Sequence, residues 1–228
     1  MKLLLINPNA SHSITERLAE SARAALEPSD TLTALTAPDG PLVVRDAGQL
    51  AQAELSALRL ADAHAATHDA VLLAISLDGA AAALRRRHPQ LPIVGMTEAA
   101  LFSARTTTER IGLLTLGAAL LPLYRERVEQ AGFGSNVIAF EAPELPAAFA
   151  ADALRVSPDV LDVLARACGR LRNSGAEAVV LAGAVLCGYA DRLTAACGLP
   201  VLDGVMCGVQ RCRTLFAGRQ PWRSQRPK

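Results

Sequence analysis

Apolar and polar positions alternate along this chain in blocks that predict a parallel α/β sheet. Four short apolar runs have the length of strands: KLLLINPN from Lys2, TLTALTAP from Thr31, DAVLLAIS from Asp69 and LPIVGM from Leu91. Between them lie stretches in which apolar residues recur at helical spacing: SITERLAESARAAL, ELSALRLADAHAA and GAAAALRRRH. Strands that alternate with amphipathic helices are typical of a parallel sheet covered by helices on both faces.

The second half of the chain repeats the first at a constant distance. RIGLLTLG begins at Arg110 and matches the run from Lys2, EAVVLAG begins at Glu177 and matches the run from Asp69, and LPVLDG begins at Leu199 and matches the run from Leu91. The difference in residue number is the same for all three pairs. Any one match between apolar strands carries little weight, but a shared offset over three segments indicates an internal duplication. We therefore predict an α/β fold of two similar lobes in a pseudo-twofold arrangement, each with a mainly parallel sheet.

The turns that follow the strands are the predicted place for a ligand. In open parallel sheets the ligand lies beyond the carboxyl ends of the strands, so two such ends facing each other would share one cleft. Four turns would line it: NPNAS (7–11), ISLDG (75–79), TLGAA (115–119) and GAVLC (183–187). Under the offset, Asn7 corresponds to Thr115 and Ile75 corresponds to Gly183.

Composition narrows the function classes. The chain has 228 residues, is 51% hydrophobic and has a formal net charge of +1, so it can bury a sizeable core and shows no sign of a nucleic-acid or membrane-surface partner. The apolar start MKLLLINPNA leads into Asn-Pro-Asn and a helix, which favours a buried first strand over a signal peptide. The five cysteines have no metal-ligand spacing and fit free thiols in the cytoplasm.

Metal and nucleotide sites are not indicated. His64 and His68 are four residues apart, but no HExxH motif accompanies them, so a solvated helix face is the better interpretation. No glycine-rich phosphate loop follows a strand. We therefore expect no metal and no cofactor.

Several segments resemble the aspartate/glutamate racemase superfamily, in particular its hydantoin and allantoin racemase branch. They are INPNAS followed by a helix, VGMTEAA (94–100), ERIGLLTL (109–116) and GAEAVVLAGAVLCGYADRL with GLPVLDGV (175–205). The resemblance covers nearly all of residues 1–215 and rests on the order and spacing of these motifs.

The resemblance implies a cofactor-independent reaction at the acidic carbon of a small carboxylate or ureide, either racemisation or a decarboxylation like that of the arylmalonate decarboxylases. It implies a first lobe of residues 1–97 and 205–228, a second lobe of residues 98–204, and a homo-oligomer. In such racemases one cysteine follows the third strand of each lobe. The two thiols stand on opposite sides of the substrate carbon, because inversion needs one group to remove a proton and another to return it.

Both cysteine positions differ in this chain. The first falls on Ile75, or on Ala74 if the gap is placed one residue earlier, and the second falls on Gly183. Cys187, four residues further on, is a candidate replacement if a helix begins near Ala184, with a buried apolar role as the alternative. Ser76 resembles a carboxylate-holding serine of the decarboxylases, and Asp78 is a candidate helix cap.

The anion-holding parts of the resemblance are better retained. Asn7, Asn9 and Ser11 follow the first strand and open a helix, where amide groups bind carboxylates or imides; shaping of the turn is the alternative. Thr115 takes the matching place in the second lobe, and Tyr124 falls where a tyrosine often faces the cleft. The predicted substrate-binding set is therefore Asn7, Asn9, Ser11, Ile75, Ser76, Thr115, Tyr124, Gly183 and Ala184.

Two functions fit this sequence. The first is a racemase-like isomerase or decarboxylase with an atypical mechanism, in which Cys187 and Ser76 are the candidate catalytic residues. The second is an inactive protein that keeps the scaffold and binds a small carboxylate or ureide. The position of Cys187 discriminates between them, since a thiolate facing the cleft favours the enzyme and a buried thiol of high pKa favours the binding protein.

Overall fold

The computed structural model describes residues 1–145 and 158–219, without the side chain of Ser76. Within these ranges eight strands form two four-stranded parallel sheets. The strands are β1 (Lys2–Asn7), β2 (Thr31–Thr36), β3 (Ala70–Leu73), β4 (Ile93–Gly95), β5 (Ile111–Leu114), β6 (Val137–Glu141), β7 (Ala178–Leu181) and β8 (Val201–Asp203).

Eight helices of the described ranges cover these sheets. They are α1 (His12–Ala25), α2 (Ala47–His64), α3 (Ala81–Arg87), α4 (Met96–Arg105), α5 (Leu121–Gln130), α6 (Pro158–Asn173), α7 (Ala190–Cys197) and α8 (Gly204–Ala217). Among the described residues no helix is both long and apolar enough to cross a membrane.

The two sheets have the same strand order. The first runs β2-β1-β3-β4 and the second runs β6-β5-β7-β8, with every neighbouring pair parallel. Ala70 opens β3 and Ala178 opens β7, while Ile93 opens β4 and Val201 opens β8. Both pairs are separated by the offset that the sequence shows. The predicted α/β class and the duplicated strand pattern are confirmed.

The central strands are buried on both faces, which is why they are continuous apolar runs in the sequence. Every residue of β3, β5 and β7 is buried, whereas β2 and β6, which are edge strands, are half-exposed. Covered parallel strands lose the in-and-out alternation that a half-solvated sheet shows.

Helices α4 and α8 join the two halves of the molecule. α8 packs against α1, β3 and β4 of the first sheet and along α4, which also contacts β7 and β8 of the second sheet. Glycine allows the close approach of α8 to α4, because a Cβ at Gly204 would lie 2.8 Å from the Met96 carbonyl oxygen. The last described helix therefore returns to the first sheet, while the lobe boundaries named above stay a prediction.

Candidate active site

The carboxyl ends of both sheets border one cleft. It encloses a cavity of about 470 Å³. Asn9 follows β1, Ala74 and Ile75 follow β3, Thr115 follows β5, and Gly183 follows β7. The four post-strand turns that sequence reasoning named therefore contribute to a single cavity.

Six residues of the predicted substrate-binding set line this cavity: Asn9, Ile75, Thr115, Tyr124, Gly183 and Ala184. Thr115 is 3% exposed, and its backbone N–H donates to the Glu141 carbonyl 2.9 Å away. Tyr124 is 1% exposed and its hydroxyl donates to the Ala182 carbonyl at 3.0 Å, which fixes the ring against the turn after β7.

Asn7 and Ser11 have local structural contacts instead. The Asn7 side chain donates to the Ser11 carbonyl at 3.1 Å and to Thr15 Oγ1 at 2.9 Å, and it accepts the Asn9 N–H at 3.1 Å. The Ser11 hydroxyl accepts the Ile14 N–H at 3.3 Å and caps α1. Neither residue is among those that line the cavity. Asn7 therefore orders the turn that contains Asn9, while the Ser76 side chain lies outside the described residues.

The cavity is lined by more segments than the four predicted turns. The loops after the edge strands supply Val43, Val44 and Arg45 after β2, and Glu144 and Leu145 after β6. Ile14 of α1 and the segment from Leu116 to Leu120 complete an apolar lining. The rule that placed the ligand at strand carboxyl ends applies equally to β2 and β6, so these loops were predictable from their position although not from their composition.

Polar chemistry in the cavity is sparse. Asn9 and Thr115 provide an amide and a hydroxyl, and Arg45 and Glu144 are the charged residues among those that line it. The Ala118 N–H donates to Glu144 Oε1 at 3.4 Å. The described residues of the lining include no cysteine and no histidine. The surroundings favour a small, partly apolar ligand with one or two hydrogen-bonding groups.

Cys187 lies behind the cavity wall. It is 2% exposed, and its thiol lies 3.8 Å from Asp203 Oδ1 and 3.9 Å from the Arg17 carbonyl oxygen. Burial in the apolar interior, together with the negative charge of Asp203, raises the pKa of the Cys187 thiol well above its ordinary value. A thiol in this setting is a neutral buried group rather than a nucleophile or a base.

The condition under which Cys187 would lie one turn inside a helix is not met. Ala184–Leu186 form a single 3-10 turn, Gly188 follows at φ +86°, and α7 begins only at Ala190. Glycine tolerates that positive φ, which interrupts the helical path. Cys187 is extended, with φ −57° and ψ 135°, so it does not lie on a helix face directed at the cleft.

A polar cluster joins the halves of the molecule around Cys187. The buried Arg17 guanidinium donates to the Cys187 carbonyl oxygen. The Asp203 carboxylate accepts the Gly188 and Val205 N–H groups, each at 2.8 Å, and the Ser21 hydroxyl at 3.3 Å. Sequence reasoning did not single out Arg17 or Asp203, although an aspartate directly before a helix is a recognisable cap signal.

Asp78 caps α4 rather than α3, the helix that follows it in the chain. Its two carboxylate oxygens accept the Thr97 N–H at 3.0 Å and the Glu98 N–H at 2.5 Å, at the start of α4. Burial raises the pKa of this carboxyl to about 7, although the two backbone N–H donors lower it.

Comparison with known proteins agrees with this geometry. The sequence profile described as Asp/Glu/Hydantoin racemase matches residues 3–212. A hydantoin racemase of Paenarthrobacter aurescens is 26% identical over 221 residues, which are 95% of this chain and 92% of that protein.

Solved structures show the same arrangement. An allantoin racemase from Klebsiella pneumoniae superposes with a TM-score of 0.86 at 26% identity, over 95% of this chain and 88% of that one. An arylmalonate decarboxylase shares the fold alone, with a TM-score of 0.63 at 17% identity over 96% of this chain and 94% of that one. A profile that matches most of the chain and racemases that match nearly all of it show that this protein belongs to the Asp/Glu/hydantoin racemase family.

Proposed function

We propose that this chain binds a small carboxylate or ureide in the cleft between the two sheets and does not use thiols to transfer protons there. The observation that carries the proposal is the lining of the cleft. At the two positions where the family resemblance implies cysteines stand Ile75 and Gly183, and both line the cavity. Neither residue has a group that can accept or donate a proton.

The retained polar groups support binding. The amide of Asn9 can both donate to and accept from a ureide, and the hydroxyl of Thr115 can donate to a carboxylate. Both residues are nearly inaccessible, at 7% and 3% exposure, so a bound ligand would compete with little water for their hydrogen bonds. The apolar remainder of the lining suits the hydrocarbon part of a small ligand. No cofactor enters this proposal.

Cys187 does not supply the lost acid–base chemistry. Its burial, its raised pKa and its place behind the wall all argue against a thiolate at the substrate carbon. Under the criterion set by the sequence, this favours the binding protein over the relocated-thiol enzyme.

A one-sided enzyme is the second candidate. Two observations favour it: racemases are among the relatives, and Glu144 lines the cleft, where its carboxylate is the candidate for exchanging a proton with a ligand on one face. Such a site is suited to decarboxylation or to proton exchange without inversion, because both need a proton on a single face. The expected cytoplasmic location and homo-oligomeric state accompany either candidate as predictions.

The binding proposal is tested by calorimetry with allantoin, a 5-substituted hydantoin, aspartate, glutamate and phenylmalonate. We expect at least one of them to bind wild-type protein, and the Thr115→Val variant to bind it about tenfold more weakly because a buried hydrogen bond is lost. The control is Thr214→Val, since Thr214 is exposed on α8 and its hydroxyl bonds only within that helix. Affinity that is unchanged in Thr115→Val would contradict the assigned site.

A further inference from the structure

The turn after β3 separates two cavities. On one side is the cleft, which Ala74 and Ile75 line. On the other side is a second cavity of about 550 Å³ between α2, α3, α4 and α5, which Leu77 and Asp78 line. Tyr124 borders both cavities. A shift of this turn would therefore change the wall of the cleft.

The backbone of this turn is strained. Leu77, Asp78 and Ala80 have φ values of 69°, 51° and 67°, and none of them is glycine. The left-handed region brings Cβ close to the carbonyl oxygen of an L-residue, so such residues occupy it only where other contacts hold them. One backbone bond within the turn, from the Asp78 N–H to the Ile75 carbonyl at 3.2 Å, connects Asp78 directly to the cleft residue.

The Asp78 carboxyl group anchors the turn to α4. It accepts the Thr97 and Glu98 N–H groups at the first turn of α4, which has Gly95 at its N-cap and so no capping side chain of its own. The carboxylate occupies the space that a Cβ at Gly95 would fill. The glycine therefore leaves room for the Asp78 side chain against the start of α4.

We propose that Asp78 is a positioning residue for the cleft: its protonated carboxyl group holds the turn, and with it Ile75, in the ligand-binding form, and ionisation of that buried group releases the turn and weakens binding. The part of the inference that concerns affinity rests on the proposed function. The part that concerns the turn does not.

The chemistry of the carboxylate gives the direction. The two N–H donors favour the ionised form, but the cost of burying its charge outweighs them. Burial and the nearby Glu98 raise the pKa of Asp78 to about 7, against the lowering by the two N–H donors and Arg85. The packed turn therefore binds the proton more tightly than an exposed carboxyl does, and ionisation near neutral pH favours release of the turn. The charged side chains that face the same cavity are Glu54 of α2, Arg85 and Arg86 of α3, Glu98 of α4 and Arg127 of α5.

These neighbours do not neutralise Asp78 directly. Arg85 is paired with Glu98 at 2.7 Å, and Arg127 lies 3.5 Å from Glu54. Four of the five charges are therefore paired with each other, Arg86 being the fifth, and no cation among the described residues forms an ion pair with Asp78. The ionisation of Asp78 is thus coupled to the geometry of the turn more than to a counter-ion.

The first test needs no ligand. The backbone amide resonances of Ile75, Thr97 and Glu98 are followed by NMR as the pH is changed from about 5.5 to about 8.5. We expect all three to shift with one shared midpoint at about 7. The shared transition should vanish in Asp78→Asn and persist in Asp191→Asn, which removes the same charge from an exposed position in the first turn of α7.

Two results would overturn the inference. If Thr97 and Glu98 titrate while Ile75 stays fixed, Asp78 is only a helix cap. If none of the three shifts near neutral pH in the wild-type protein, the carboxylate does not change charge there. The wild-type titration decides both points even if Asp78→Asn fails to fold.

The second test uses any of the five compounds that binds. If only the protonated form binds, the apparent affinity scales with the protonated fraction, so it should fall roughly tenfold between about pH 6 and about pH 8. Aspartate and allantoin keep a constant charge over this range, which separates the ligand's ionisation from that of Asp78. An affinity that is flat with pH, in protein whose turn does titrate, would overturn the coupling to the cleft. Absence of any binding would count against the proposed function, and the amide titration would still decide the role of Asp78.

Discussion

The close approach of α8 to α4 gives a sharp stability prediction. Gly204 is the first residue of α8, and a Cβ there would lie 2.8 Å from the Met96 carbonyl oxygen and 3.0 Å from Met96 Cε. The methyl end of methionine can move away, but the carbonyl oxygen belongs to the backbone at the start of α4. We therefore expect Gly204→Ala to force the two helices apart.

The expected magnitude follows from the type of contact. Overpacking of a well-packed interface costs about 1–3 kcal/mol of the free energy of unfolding. Gly169 provides the matched control, because it lies inside α6 and a Cβ there would meet nothing within 4 Å. Alanine at that position should stabilise the protein by about 0.5–1 kcal/mol, since glycine loses more backbone freedom in a helix.

The assay is urea unfolding followed by far-UV circular dichroism on the wild type and both variants. The prediction is a change of opposite sign in the two variants, with similar m-values if each unfolds in one step. If Gly204→Ala is as stable as wild type while Gly169→Ala gains stability, the helices are not packed as closely as described. The inferred junction between the halves of the molecule would then be wrong.

Three further results are expected. The pKa of Asp78 is about 7 in the folded protein, against an ordinary value of 3.8. The stability that this group contributes is therefore fully present below pH 3.8 and is lost as the pH rises to about 7, by at most about 1.4 kcal/mol per pH unit. Asp78→Asn should flatten this slope in urea unfolding measured at several pH values. Tyr124→Phe removes the hydroxyl that donates to the Ala182 carbonyl, and it should lower the free energy of unfolding by about 1–3 kcal/mol, against no more than a small change for the exposed Thr214→Val. All five cysteines are buried, so a thiol reagent at neutral pH should modify none of them quickly in the native protein and all five after unfolding; fast native reaction at Cys187 would contradict its assigned burial.

Much of the fold was predictable because the central strands are apolar runs that only a doubly covered parallel sheet explains. The constant offset between matching segments then placed two copies of the unit along the chain, and the strand-end rule placed Asn9, Thr115 and Gly183 at one cleft. These predictions depend on period and order, which a sequence displays directly.

Residue roles within the turns were less predictable, because they depend on backbone conformation. Asn7 is a residue type that often binds ligands, but its side chain holds the turn through contacts with Ser11 and Thr15. Cys187 would lie inside a helix only if that helix began near Ala184, but Gly188 at φ +86° interrupts the helical path before Ala190. The glycine was visible in the sequence, and its positive φ was not.

The loops after the edge strands were missed for a different reason. Val43 to Arg45 and Glu144 lie in segments without a helical or strand period, so no pattern drew attention to them. Their place is set by the strands before them, which end at the same edge as the central strands. A prediction that considered every loop after a strand, and not only those with a family motif, would have identified these residues.

The most direct test of the central claim is deuterium exchange in D₂O, followed by NMR, with the five proposed ligands. Wild-type protein and Cys187→Ser are compared, and loss of CO₂ from phenylmalonate is recorded alongside. The account predicts that Cys187→Ser binds ligand as tightly as the wild type does. It also predicts that any exchange or decarboxylation by the wild type persists in Cys187→Ser. Exchange or decarboxylation by the wild type that disappears in Cys187→Ser would contradict the account and establish a thiol-dependent enzyme.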